Sequence, residues 1–319
     1  MLSAGDANYE RRNIFHIDER VETFRAGKIR KVDDAVSHLS DCPTDDFLHR
    51  RHIGRARHSV RAVDHLLPRV RCDFSLAGAA PALQFRMSLI AENLGRVREQ
   101  IASAAAKSGR SADDVELVAI TKTHPADKVR EAIQAGQTLF GESRVQEARA
   151  KIPELPSNIR WHFVGHLQKN KVRQVLPLFE MIQGVDSLAL AQDINRVAEE
   201  DGTYPRVLLE VNVAGEGSKF GFAADQLREQ IEGLVALPRV SIEGLMCIPP
   251  LADESEPSRK FFVQLRELRE SLENEFDLQL PELSMGMTND YPIAVEEGAT
   301  LVRVGTAIFG ERKARKGNL

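Results

Sequence analysis

Cysteine is scarce in this 319-residue chain, and the three present, Cys42, Cys72 and Cys247, have no metal-site spacing. A disulfide scaffold and a cysteine-zinc centre are excluded on that count, and a reducing compartment is the expectation. No uninterrupted apolar stretch approaches the roughly 20 residues of a bilayer-spanning helix. The first residues also lack the basic-then-apolar pattern of a secretory signal. The expected location is the cytoplasm, with no membrane partner. Net positive charge is missing too: 43 Lys and Arg against 47 Asp and Glu give −4 with histidines neutral. No general field therefore attracts nucleic acid. What remains, 42% hydrophobic and 28% charged residues, is the balance of a folded globular protein rather than a fibrous or disordered one.

The composition changes near residue 86. Residues 1–86 hold 15 Lys and Arg against 12 Asp and Glu, a balance of +3, which leaves 28 against 35, or −7, for the remainder. Arg50, Arg51, Arg55, Arg57 and Arg61 lie among His49, His52, His58 and His65, with few large apolar groups. Such side chains could meet phosphates, but aromatic interleaving and zinc-ligand spacing are both absent. Residues 1–86 are expected to be a disordered extension or an upstream start assigned ahead of Met87. Residues 87–319 are expected to form the folded domain.

From Met87 the pattern becomes regular. Ile90, Leu94, Val97 and Ile101 recur at helical spacing, with Gly109 as the stop. Val115 to Ile120 then reads as a buried strand. Further strands are expected at about 137–141, 159–164, 179–183, 206–213, 240–246, 280–284 and 300–304. Helices lie between most of them, the clearest at 259–272 with a stripe of Phe261, Leu265, Leu268 and Leu272. Eight strands alternating with helices close most economically as a parallel (β/α)8 TIM barrel. An open doubly wound sheet uses the same local patterns, but no dinucleotide glycine fingerprint follows the first strand.

In a parallel barrel the C-terminal strand ends converge on one mouth. Lys122 stands at the end of the first strand. Its amine, with an ordinary pKa of about 10.4, can form a Schiff base with an aldehyde once unprotonated; a solvated strand-end lysine leaves the same pattern. Ser284-Met285-Gly286-Met287-Thr288 ends the seventh strand and Arg303-Val304-Gly305-Thr306 the eighth. Hydroxyls and glycine-exposed N–H groups there can cradle a phosphate. Arg303 could donate to a carboxylate, a phosphate or a ring nitrogen, or serve a plain salt bridge. His162, Gly165, His166 and Gln168 could line one side of a ligand or be satisfied structurally. Asn212, Glu216 and Lys219 form a polar segment after the fifth strand that reads equally as a lid or a solvated loop. Met246, Met285, Met287 and Cys247 read as packing beside the mouth.

The motifs Ala119–Pro125, Trp161–Lys171, Gly244–Pro250, Ser284–Thr288 and Val302–Gly310 occur in order. With them, the chain resembles the YggS/PROSC family of pyridoxal phosphate homeostasis proteins from about Met87 to Arg312. The resemblance implies a single barrel of the alanine racemase N-terminal type. In it Lys122 forms an internal aldimine with pyridoxal 5'-phosphate (PLP), and Ser284, Gly286, Gly305 and Thr306 hold the phosphate. Arg303 faces the pyridine nitrogen, while Ser143, His162, Asn212, Lys219, Met246 and Thr288 stand around them. It further implies a role in vitamin B6 homeostasis without established enzymatic turnover, with PLP-dependent apoenzymes as recipients, and a monomer is the expectation.

The chain departs from the family pattern at Ser143-Arg144, where Asn-Tyr is usual, and at Thr288, where a serine is usual but the hydroxyl is kept. After the eighth strand only Gly310–Leu319 remain, too few residues for the second domain with which the related racemases act. A PLP-dependent enzyme acting on amino acids and a noncovalent phosphate-ligand barrel are the alternative readings.

Overall fold

The structure is a computed structural model and describes residues 88–217, 219–250 and 254–311. The expectations for residues 1–86 lie outside the described residues. Helix α1 (Leu89–Lys107) starts where the Ser88 hydroxyl accepts from the Ala91 amide at 3.2 Å, satisfying one of the N–H groups a helix start leaves open. Its buried face is Ile90, Leu94, Val97 and Ile101, the stripe expected from the sequence. Gly109 turns the chain away at φ 72°, a conformation open to glycine without a Cβ penalty.

Eight strands follow: β1 (Glu116–Ile120), β2 (Leu139–Glu142), β3 (Arg160–Phe163), β4 (Met181–Val185), β5 (Arg206–Val211), β6 (Ser241–Cys247), β7 (Glu282–Ser284) and β8 (Leu301–Val304). Each pairs in parallel with its sequence neighbour, and β8 closes on β1 with Leu301 opposite Glu116. The closed eight-stranded barrel decides against the open sheet. β2 begins two residues later than expected because the Gln137 backbone N–H still closes the preceding helix on the Ala132 carbonyl at 3.0 Å, while its side-chain amide donates to the Leu117 and Leu139 carbonyls at 2.7 Å each.

Helices α2 (Ala126–Gln134), α3 (Val145–Lys151), α4 (Val172–Val175), α5 (Leu188–Asp201), α6 (Ala224–Val235), α7 (Arg259–Phe276) and α8 (Tyr291–Glu296) fill the seven crossovers, and α9 (Thr306–Phe309) follows the last strand. No helix among the described residues is long and apolar enough to cross a membrane. In α7 the buried stripe is Phe262, Leu265, Leu268 and Leu272, which corrects the expectation of Phe261. The Phe261 ring lies half-buried at the edge of that face, with the Lys260 ammonium 4.8 Å from its centroid.

Apolar side chains separate into two layers. The larger packs the helices onto the outer strand faces; the smaller, built from Val118, Ile120, Leu139, Met181, Leu208, Met246 and Leu301, fills the barrel interior. Each fully buried aliphatic side chain contributes about 1.5–3 kcal/mol, so the barrel walls form a rigid frame for whatever stands on their ends.

Candidate functional site

A cavity of about 580 Å³ opens at the C-terminal strand ends. Lys122 reaches its wall from the end of β1, Ser143 from β2, Arg303 from β8, and Gly305 and Thr306 from the start of α9. Lys219 and Thr288 enter from the segments after β5 and β7. Ile120, Val164, Ile248, Pro249 and Met287 supply apolar wall. The structure thus brings seven of the twelve expected site residues onto one surface.

The backbone around Lys122 is tied down on both sides. Before it, the Thr121 carbonyl accepts from Lys151 Nζ at 2.8 Å, and the Thr121 hydroxyl donates to Glu142 Oε1 at 2.7 Å. Lys151 and Glu142 also pair directly, with side chains 7% and 0% exposed. After it, the Thr123 amide donates to Glu147 Oε2 at 2.7 Å. Arg144, which stands where the family pattern has Tyr, is exposed and donates to the other oxygen of Glu147 at 2.9 Å. Ser143 keeps its place because Gly165 lacks a side chain: a Cβ there would lie 2.4 Å from the Ser143 carbonyl oxygen.

Ser284 lies below the cavity instead of on its wall. Strand alternation turns it into the barrel, where its hydroxyl accepts from Arg303 Nη1 at 2.5 Å and donates to Gln183 Oε1 at 2.7 Å. Gln183 Nε2 in turn lies 2.8 Å from His162 Nδ1. A guanidinium can only donate, so the string has one direction: Arg303 to Ser284 to Gln183 to His162, with the imidazole proton on Nε2. Arg303 Nη2 also donates to the Cys247 carbonyl at 2.8 Å. Burial, then the charges of Arg160 and Arg206, push His162 down to about 3, so it stays neutral. Burial pushes the Cys247 thiol up to about 12, so it is a packing group and no nucleophile. Gly286 contributes a turn at φ 88°, where a Cβ would lie 2.5 Å from that of Ala294.

Sequence reasoning missed Glu210, which is buried at the end of β5. Desolvation and the nearby Asp186 raise its carboxyl above the usual range, while Arg303 opposes them. His166 is exposed, lies 2.9 Å from Asp186 and stacks on the Phe220 ring at 3.8 Å, outside the cavity lining. Asn212 closes its own loop by donating to the Glu216 carbonyl at 2.8 Å, and Lys219 pairs with the Glu216 carboxylate at 3.2 Å. Met246 packs inside the barrel. No group of three metal-ligating side chains occurs among the described residues.

The family model for the alanine racemase N-terminal domain matches residues 93–313. The pyridoxal phosphate homeostasis protein of Aquifex aeolicus is 42% identical over 223 residues, 70% of this chain and 98% of that protein. Its counterpart in Escherichia coli K12 is 39% identical over 236 residues, 72% of this chain and all of that protein. The chain belongs to the YggS/PROSC family of pyridoxal phosphate homeostasis proteins. Among solved structures, PipY of Synechococcus elongatus with PLP bound has a TM-score of 0.62 and 41% identity, covering 69% of this chain and all of PipY. The alanine racemase of Clostridium difficile, at 17% identity and a TM-score of 0.54, shares the fold alone. The family's relatives carry names of homeostasis, not of a catalysed reaction.

Proposed function

We propose that this chain binds PLP reversibly through Lys122 and acts in vitamin B6 homeostasis as a cofactor reservoir, without turnover of its own. The observation that carries this reading is that Lys122, Arg303, Gly305 and Thr306 share one cavity wall.

The donor set suits such a ligand. Thr288 and Thr306 offer hydroxyls and Gly305 offers backbone to a phosphate, and a Cβ on Gly305 would crowd the Ile120 carbonyl at 3.3 Å. Ile120, Val164 and Met287 offer apolar surface to a ring, within a volume typical of small-molecule sites. Held by these residues, PLP would supply an aldehyde to the unprotonated Lys122 amine, a condensation that would release water and be reversed by it. Arg303, on the same wall, would offer a guanidinium donor to the pyridine nitrogen. A fixed cation there opposes ring protonation and weakens the ring as an electron sink, which supports holding the cofactor over transforming a substrate. Ser284 fixes Arg303, and Gly286 forms the turn that leads to Thr288. The working unit is residues 87–319, acting as a monomer in the cytoplasm and handing PLP to apoenzymes.

Absorbance titration separates this reading from the noncovalent one. PLP should produce a saturable absorbance change that pyridoxine 5'-phosphate, an alcohol in place of the aldehyde, competes away without producing its own. Equal binding of both compounds with no aldehyde-dependent change would contradict the covalent reading. Racemisation of an amino acid at an ordinary enzymatic rate, lost in Lys122→Ala, would contradict the absence of turnover.

A further inference from the structure

Among the described residues, only two non-glycine residues have φ in the left-handed region, and one of them is Thr123, at φ 68°. The other, Asp277, caps the end of α7, a place where that conformation is ordinary. Thr123 is the third residue of a β-turn that the His124 N–H closes on the Thr121 carbonyl at 3.0 Å, a position that takes positive φ but favours glycine or asparagine. Thr123 is β-branched, the side-chain type least suited to left-handed backbone, and it directly follows Lys122. A conformation of this kind persists only where its surroundings over-determine it.

Beyond that turn hydrogen bond, one side chain holds Thr123 itself. The Thr123 N–H points at Glu147 Oε2, 2.7 Å away, on the first turn of α3. Glu147 Oε1 is itself engaged, accepting from Arg144 Nη1 at 2.9 Å, so the carboxylate cannot swing freely. Burial works against its charge, yet the Thr123 amide and Arg144 hold the carboxyl below the usual range. A charged acceptor makes a stronger hydrogen bond than a neutral one. Glu147 does not line the cavity.

We propose that Glu147 is a positioning residue for Lys122: its carboxylate fixes the left-handed turn at Thr123 and thereby aims the Lys122 side chain into the cavity. This rests on the reading of Lys122 as the PLP-bearing amine and adds the device that presents it. Arg144 then bears on Lys122 through Glu147, while Ser143 lines the cavity itself.

The test uses the full chain with Glu147→Ala, Thr123→Gly and the double variant, each checked for native melting. Apparent affinity for PLP is read from the aldehyde-dependent absorbance, and affinity for pyridoxine 5'-phosphate from calorimetry. Glu147→Ala should weaken PLP by about tenfold, the scale set by one strained backbone residue, and leave pyridoxine 5'-phosphate nearly unchanged. Adding Thr123→Gly should restore most of the PLP affinity, because glycine enters the left-handed region without help. Equal loss for both compounds, no loss for PLP, or no rescue by glycine would overturn the positioning role. If the wild-type chain shows no aldehyde-dependent change, the reading of Lys122 fails and takes this inference with it. A normal wild-type signal with an unaffected Glu147→Ala variant removes the positioning role alone.

Discussion

Lys151→Met is expected to destabilise the barrel by about 3–5 kcal/mol, the usual cost of leaving a buried charge without its partner. Glu142 is fully buried at the end of β2, its Oε1 held by Lys151 and by the Thr121 hydroxyl. Its Oε2 has no partner among the described residues, so nothing else is in place to take over from the ammonium. The same ammonium holds the Thr121 carbonyl at 2.8 Å, which couples barrel stability to the segment bearing Lys122. For a barrel of this size the melting temperature should fall by roughly 10 °C. Glu142→Gln combined with Lys151→Met should be less damaging than the sum of the single changes by about 1 kcal/mol or more. Strict additivity in denaturant unfolding would mean that the pair does not act as a unit.

Stability should also fall on mild acidification through His162. Its folded-state value of about 3 lies below the ordinary value of 6.5, so the unfolded chain takes up a proton that the folded chain refuses. The contribution is fully present above pH 6.5 and is lost as pH falls toward 3, at up to about 1.4 kcal/mol per pH unit. Between pH 7 and 5 the wild type should lose roughly 2 kcal/mol more than His162→Gln, before most carboxylates titrate. Parallel stability curves for the two proteins would show that His162 is not held neutral. The physical origin is the one-way string in the barrel: Gln183 donates to Nδ1, and the buried Nε2 has no acceptor among the described residues. A second proton would have to sit where Gln183 already places one.

The barrel was legible because its strands are apolar runs of the right length, and the β1 end marked Lys122 without any knowledge of its surroundings. The Arg303-Val304-Gly305-Thr306 segment was legible for the same reason. The groups beneath the mouth were not, although a signal existed: Glu142 and Gln183 are each the one polar residue of an otherwise apolar strand, and Glu210 stands among apolar residues of a strand that opens on Arg206. In a barrel such a residue points either inward or at a helix, and periodicity does not say what it will meet. Ser284 shows the limit from the other side. A hydroxyl at a strand end suits a phosphate, but whether it stands on the wall or below it depends on strand parity, and Gln183, 101 residues away, is its acceptor. Thr123 was hidden altogether, since nothing in a Thr-His-Pro run announces a left-handed turn.

The most direct test of the account is borohydride reduction of the full chain supplied with PLP, followed by intact mass and peptide mapping. The account predicts a single phosphopyridoxyl adduct, located on Lys122 and absent from a folded Lys122→Ala variant. A folded wild-type protein that gains no adduct, or that carries it on another lysine such as Lys219, would contradict it.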